Sequence, residues 1–140
     1  MIHANIIVGR LLGLRSASPI TMAEVGELRD TMGKIFAGLK AARVVAAVDM
    51  RAAGVVGQDI RDAFEAMLKN DNPLMERSAW LISADKASLA LQVERLIREA
   101  ANPNRKCFTA AADVAAYLAD VLTPDERKGL DRFLAASLDG

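Results

Sequence analysis

Residues 43–70 read RVVAAVDMRAAGVVGQDIRDAFEAMLKN, and this stretch decides the fold. Val44, Val45, Ala46, Ala47 and Val48 form an unbroken apolar run closed by Asp49. The run is too short for a globular helix and does not alternate, the pattern of a strand covered on both faces. Gly54 and Gly57 then bracket Val55 and Val56 and mark a turn. From Gln58 and Asp59 onward, Ile60, Ala63, Phe64, Met67 and Leu68 recur at helical spacing and form one apolar stripe. Arg61, Asp62, Glu65 and Lys69 fall on the other side and are expected to face water.

Outward from that unit, the same pattern repeats. Toward the N-terminus, His3–Ile7 and Leu11–Ser16 read as two strands of a hairpin whose turn uses Gly9 for a positive backbone angle. Thr21-Met22-Ala23-Glu24 fits a capping box. The helix it opens carries Val25, Leu28, Met32, Ile35, Phe36 and Leu39 to about Lys40. Gly26, Gly33 and Gly38 are poor helix residues, for which close packing on the sheet is the expected reason.

Toward the C-terminus, Asn70-Asp71-Asn72-Pro73 stops the central helix, and Arg77–Ser83, with Trp80, Leu81 and Ile82, reads as a buried strand. Ser83 or Asp85 is the expected cap of a helix with Leu89, Val93, Leu96, Ile97 and Ala100 on its stripe. Lys106–Phe108 is a brief strand, and Thr109 is the expected cap of a helix bearing Val114, Tyr117, Leu118, Val121 and Leu122. Thr123-Pro124-Asp125-Glu126 is a second capping box, and Leu130, Phe133, Leu134 and Leu138 mark a last helix over 123–138 that docks on the domain. The alternation of strands and helices implies an α/β fold: one domain over 1–140, with a mixed, mostly parallel sheet, an N-terminal hairpin and four to five flanking helices.

Bulk properties narrow the function. Eighteen basic residues balance eighteen acidic ones, so no global field draws the chain to nucleic acid or to an anionic membrane. No stretch of about 20 apolar residues exists to span a bilayer as a helix, and the broken apolar pieces near the N-terminus make a poor signal peptide. A lone cysteine excludes an internal disulfide and fits a reducing cytoplasm.

The residue types for catalysis are sparse. His3 is the single histidine, and Cys107 lies in an apolar strand, where an inert packed thiol is expected. One His and one Cys cannot build the usual zinc site, and no glycine-rich phosphate loop or dinucleotide fingerprint occurs. No catalytic residue, cofactor or metal ligand is therefore assigned. Arg95, Arg98, Arg105 and Lys106 gather near the Asn102–Asn104 turn without interleaved aromatics, and Glu94–Arg98 reads as a solvated i,i+4 pair. Val55 and Val56 stand out, because apolar side chains in a turn are either tucked inward or used by a partner. The amides at the Gln58–Arg61 helix start could also receive an anion.

The hydrophobic strand ending Asp49-Met50-Arg51, the glycine-bearing turn and the helix after it resemble the STAS domain, the sulphate-transporter and anti-sigma-factor-antagonist family, and its bacterial SpoIIAA-like relatives. The order of elements matches over about residues 2–122, and the residue-level match is confined to VVAAVDMRAAGVVGQDIRDAF. Asp49 matches the family's strand-end aspartate, while Gly57, Gln58 and Asp59 stand where regulatory members carry Asp-Ser-Ser with a phosphorylated serine. No hydroxyl is present there, so the resemblance implies docking without that switch. It implies a non-enzymatic module of bacterial signalling or regulation that binds another protein through Gly54, Val55, Val56, Gly57, Gln58, Asp59 and Arg61. The family's SEC14-related cousins raise a second class, a pocket for a small hydrophobic, lipid-like ligand. A third is a homodimer packed through the first helix or through Phe133, Leu134 and Leu138.

Overall fold

A computed structural model describes residues 1–39 and 42–136. Strands β1 (Ile2–Val8) and β2 (Leu11–Ala17) are followed by α1 (Met22–Leu39), β3 (Val44–Ala52), α2 (Gln58–Asp71), β4 (Met75–Leu81), α3 (Ala87–Ala100), β5 (Arg105–Phe108), α4 (Ala111–Ala119) and α5 (Pro124–Ala135). Among the described residues the strands form one sheet in the order β1-β2-β3-β4-β5. The β1–β2 hairpin is antiparallel and every other pairing is parallel. The fold is therefore the α/β class that the sequence implies.

The parallel strands succeed one another in one direction across the sheet, and right-handed crossovers then place α1, α2 and α3 on the same face. The last two helices cover the opposite face. Side chains of β3 alternate between the two cores accordingly: Val44, Ala46, Val48 and Met50 pack with α1–α3, while Val45 and Ala47 pack with α4 and α5. Burial on both sides is why this strand is an apolar run rather than an alternating one.

Both capping boxes form. Thr21 Oγ1 accepts from the Glu24 amide at 3.2 Å while Glu24 accepts from the Thr21 amide at 3.0 Å, and Thr123 and Glu126 repeat the exchange. Gly9 takes the positive φ of 58° that the hairpin turn requires. Several boundaries differ from expectation. β3 does not stop at Asp49 but runs to Ala52, because two arginines neutralise that carboxylate within the sheet. β4 begins two residues early, because Asn72–Leu74 forms a single 3-10 turn that delivers the chain straight into Met75.

Neither Ser83 nor Asp85 caps α3, whose N-cap is Lys86, and Thr109 does not cap α4, whose N-cap is Ala110. The Ser83 hydroxyl is spent on the Arg51 carbonyl instead. α4 ends at Ala119, so Val121 and Leu122 lie in the following turn, where Leu122 is still buried. Lys40 and Leu138 lie outside the described residues. The glycines of α1 have no packing reason, since a Cβ at Gly26, Gly33 or Gly38 would meet nothing within 4 Å.

Candidate functional site

The Gly54–Gly57 turn lies at the carboxyl end of β3, the edge where open parallel sheets place their ligands. It is held from several directions. The Gly54 amide donates to Ser18 Oγ at 2.7 Å, and the Lys86 ammonium donates to the Arg51 and Ala53 carbonyls at 2.8 and 2.7 Å. The side-chain amide of Gln92 on α3 clamps Val56, accepting from its N–H at 3.0 Å and donating to its C=O at 2.9 Å. The clamp separates the two valines. Val56 turns in against the α1–α3 core, while Val55 is 58% exposed beside a shallow depression walled by Gly54 and Asp85–Leu89.

At the helix start, Gly57 is the N-cap and supplies no side-chain cap. Gln58 and Asp59 are both exposed; Gln58 Nε2 donates to Asp62 at 2.7 Å, and Asp59 Oδ1 accepts from the Ile60 amide at 3.0 Å. Arg61 is not on the water face. It is 9% exposed, and its guanidinium pairs with Glu99 of α3 as well as with Asp62 and Glu65. α2 packs beside α3 as well as on the sheet, so the flank that looks solvated in periodicity is an interhelical seam. Gly54, Val55, Val56 and Gly57 thus lie in one turn, Gln58 and Asp59 open α2 directly after it, and Arg61 is turned aside into the α2–α3 seam.

Asp49 has a role that the resemblance did not suggest. It is 5% exposed and accepts from Arg51 Nε at 2.9 Å and from Arg15 Nη1 at 2.5 Å. Burial alone would push its pKa up, but the hydrogen bonds and charges of Arg51 and Arg15 hold it below the ordinary value. The same two arginines donate to the last carbonyls of α5, Arg15 to Phe133 and Ala136 and Arg51 to Leu134 and Ala136. Cations on orphan helix carbonyls cap the C-terminus of α5 and complement its dipole. The strand-end aspartate is the buried hub that docks the last helix. The one sequence signal for it is an acid inside an apolar strand.

The remaining candidates are placed as follows. His3 is exposed on β1, opposite Arg15 in register. Cys107 is half-buried, and burial, with the charge of Glu94 behind it, pushes its thiol up to about 11. The basic cluster near Asn102–Asn104 does not assemble on the surface, because Arg105 is 3% exposed and donates inward to Leu68 O and Asn72 Oδ1. The i,i+4 pair on α3 is Arg95–Glu99 rather than Glu94–Arg98. Of the three C-terminal residues named for a dimer, Leu134 is buried and Phe133 lies under the Arg15 guanidinium at 4.0 Å, while Leu138 lies outside the described residues.

Behind the turn, between the sheet and α1–α3, lies a cavity of about 60 Å³ that periodicity could not reveal. Val56, Arg61 and Gln92 line it near the turn, and Asp71 and Arg105 line it farther along. Among the described residues, no helix is long and apolar enough to cross a membrane, and no group of three or more His, Cys, Asp and Glu is placed to hold a metal ion. The chain matches no protein-family model, and comparison with curated proteins and with solved structures finds no match.

Proposed function

We propose that the chain is a non-enzymatic docking module that binds another protein through the Gly54–Asp59 turn, as the STAS resemblance implies. The supporting observation is the immobilised turn that leaves Val55 58% exposed. A single exposed valine is ordinary on a protein surface. This one sits on a backbone clamped by Gln92, Lys86 and Ser18, so little conformational entropy is lost when a partner covers it. Gln58 and Asp59 provide a polar rim, and Arg61 ties α2 to α3 so that the helix start does not shift. Regulation by serine phosphorylation is no part of this reading, because the turn has no hydroxyl side chain.

The test is affinity capture from native lysate with the tagged full chain, its Val55→Asp variant and a Leu91→Asp control. Leu91 is 68% exposed on α3, so the control carries the same change at another exposed apolar position. A protein held by the parent and by the control but lost from Val55→Asp, all three with matching circular dichroism, is the expected result. Capture that Val55→Asp leaves unchanged, or no capture by the parent, would remove the reading.

A further inference from the structure

Strands β1 and β5 form the two edges of the sheet, and they are not alike. β5 is 4 residues long and carries Arg105 and Lys106, the short, basic kind of edge that resists pairing with another strand. β1 is 7 residues long, Ile2–Val8, and contains no Asp, Glu, Lys, Arg, Pro or Gly. Its one irregularity lies between Ile6 and Val8, at the hairpin end, so Ile2–Ile6 runs in unbroken register.

The pairing with β2 fixes which groups of β1 face outward. The Met1 ammonium donates to the Ala17 carbonyl at 2.6 Å, and the Ala17 amide donates to the Met1 carbonyl at 2.8 Å. In an antiparallel ladder every second residue bonds inward, so His3 and Asn5 follow Met1. The N–H and C=O groups of Ile2, Ala4 and Ile6 therefore point away from the sheet. Among the described residues nothing hydrogen-bonds to them. Their side chains are partly buried at the margin of the α1–α3 core, while His3 and Asn5 are exposed on the other face.

An antiparallel copy of the same strand, placed about a two-fold axis at Ala4, satisfies all of these groups. Ile2 then bonds with Ile6, Ala4 with Ala4 and Ile6 with Ile2, about six backbone hydrogen bonds in all. Apolar side chains meet apolar ones on the α1–α3 face. On the other face His3 falls opposite Asn5 of the second copy, imidazole against carboxamide, with no like charges opposed. Any extended strand satisfies the backbone; a second copy also matches each side-chain position.

We propose that the chain forms a two-fold dimer in which the two β1 strands pair antiparallel about Ala4 and join the two sheets into one. The contact is made by the sheet edge rather than by α1 or α5, and it is independent of docking at the Gly54–Asp59 turn.

The test is the register. His3→Cys and Asn5→Cys are made in a Cys107→Ser background that removes the natural thiol. In the proposed pairing position 3 lies about 4.5 Å, Cα to Cα, from position 5 of the other copy, within disulfide reach, whereas like positions are about 7 Å apart or more. Under mild oxidation, an equal mixture of the two variants is expected to cross-link about tenfold or more faster than either alone. In sedimentation equilibrium the parent should reach twice the chain mass. Ala4→Pro removes the central pair of hydrogen bonds at an edge position that accepts proline, and should return the chain to its single mass with its circular dichroism unchanged. A parent that stays at the single-chain mass at millimolar concentration would overturn the proposal and leave the edge to a strand of another protein. Cross-linking at equal rates in the mixture and in each variant alone would also overturn it.

Discussion

Asp49 shows how one side chain can be central to a fold without being its working residue. Two arginines meet it inside the sheet and carry its charge on to the carbonyls that end α5. Breaking a buried pair by removing one partner leaves the others uncompensated, so Asp49→Asn is expected to cost about 3 kcal/mol in urea unfolding at neutral pH. The carboxyl is held below its ordinary value of 3.8 in the folded chain, so its contribution is present above that value and is lost as pH falls through the folded one. The gap between parent and variant should accordingly be constant from neutral pH down to about 5 and close below about 4; a gap that widens on acidification would contradict the assignment. Cys107 gives a simpler test. With its thiol pushed up to about 11, alkylation by iodoacetamide at neutral pH should be much slower in the folded chain than in urea.

The two helices at the chain ends respond differently to substitution. α1 carries glycines at positions where a Cβ would meet nothing, so Gly26→Ala and Gly33→Ala should each stabilise by up to about 1 kcal/mol through helix propensity and a less flexible unfolded chain. No rise in melting temperature would contradict the open, unstrained helical setting assigned to those glycines. α5 is tied to the hairpin by Glu126, which is 3% exposed and accepts from the Thr123 amide at 2.8 Å and the Arg10 amide at 2.9 Å. Glu126→Ala removes half of a capping box and leaves two donors without acceptors, an expected loss of about 2–3 kcal/mol in thermal unfolding. A loss below about 0.5 kcal/mol would mean that water replaces the carboxylate at no cost.

At the scale of the molecule, most of the architecture was legible because each element carries its own period. The apolar run of β3 signalled a sheet covered on both faces, and Gly9 and the two Thr-Glu boxes marked their turns and starts. Arg61, Arg105 and Asp49 were misread or missed for one shared reason. Each is a charged residue buried against an element distant in sequence, and periodicity within one element cannot show which neighbour will cover its flank. Ser83 does not cap α3 because its hydroxyl serves the β3 end instead, a tertiary choice invisible locally, while nothing in the structure explains why Ala110 rather than Thr109 precedes α4. The candidate turn was legible as a place, but not in its division of labour. Gln92, thirty-six residues away, decides that Val56 goes in and Val55 stays out. That division is the central claim, and paired urea unfolding of Val55→Asp and Val56→Asp tests it most directly. The expected result is a change within about 0.5 kcal/mol for Val55→Asp and a loss of about 2 kcal/mol or more for Val56→Asp. Equal losses, or the reverse order, would contradict a turn whose surface is built by the fold and is not needed to hold it.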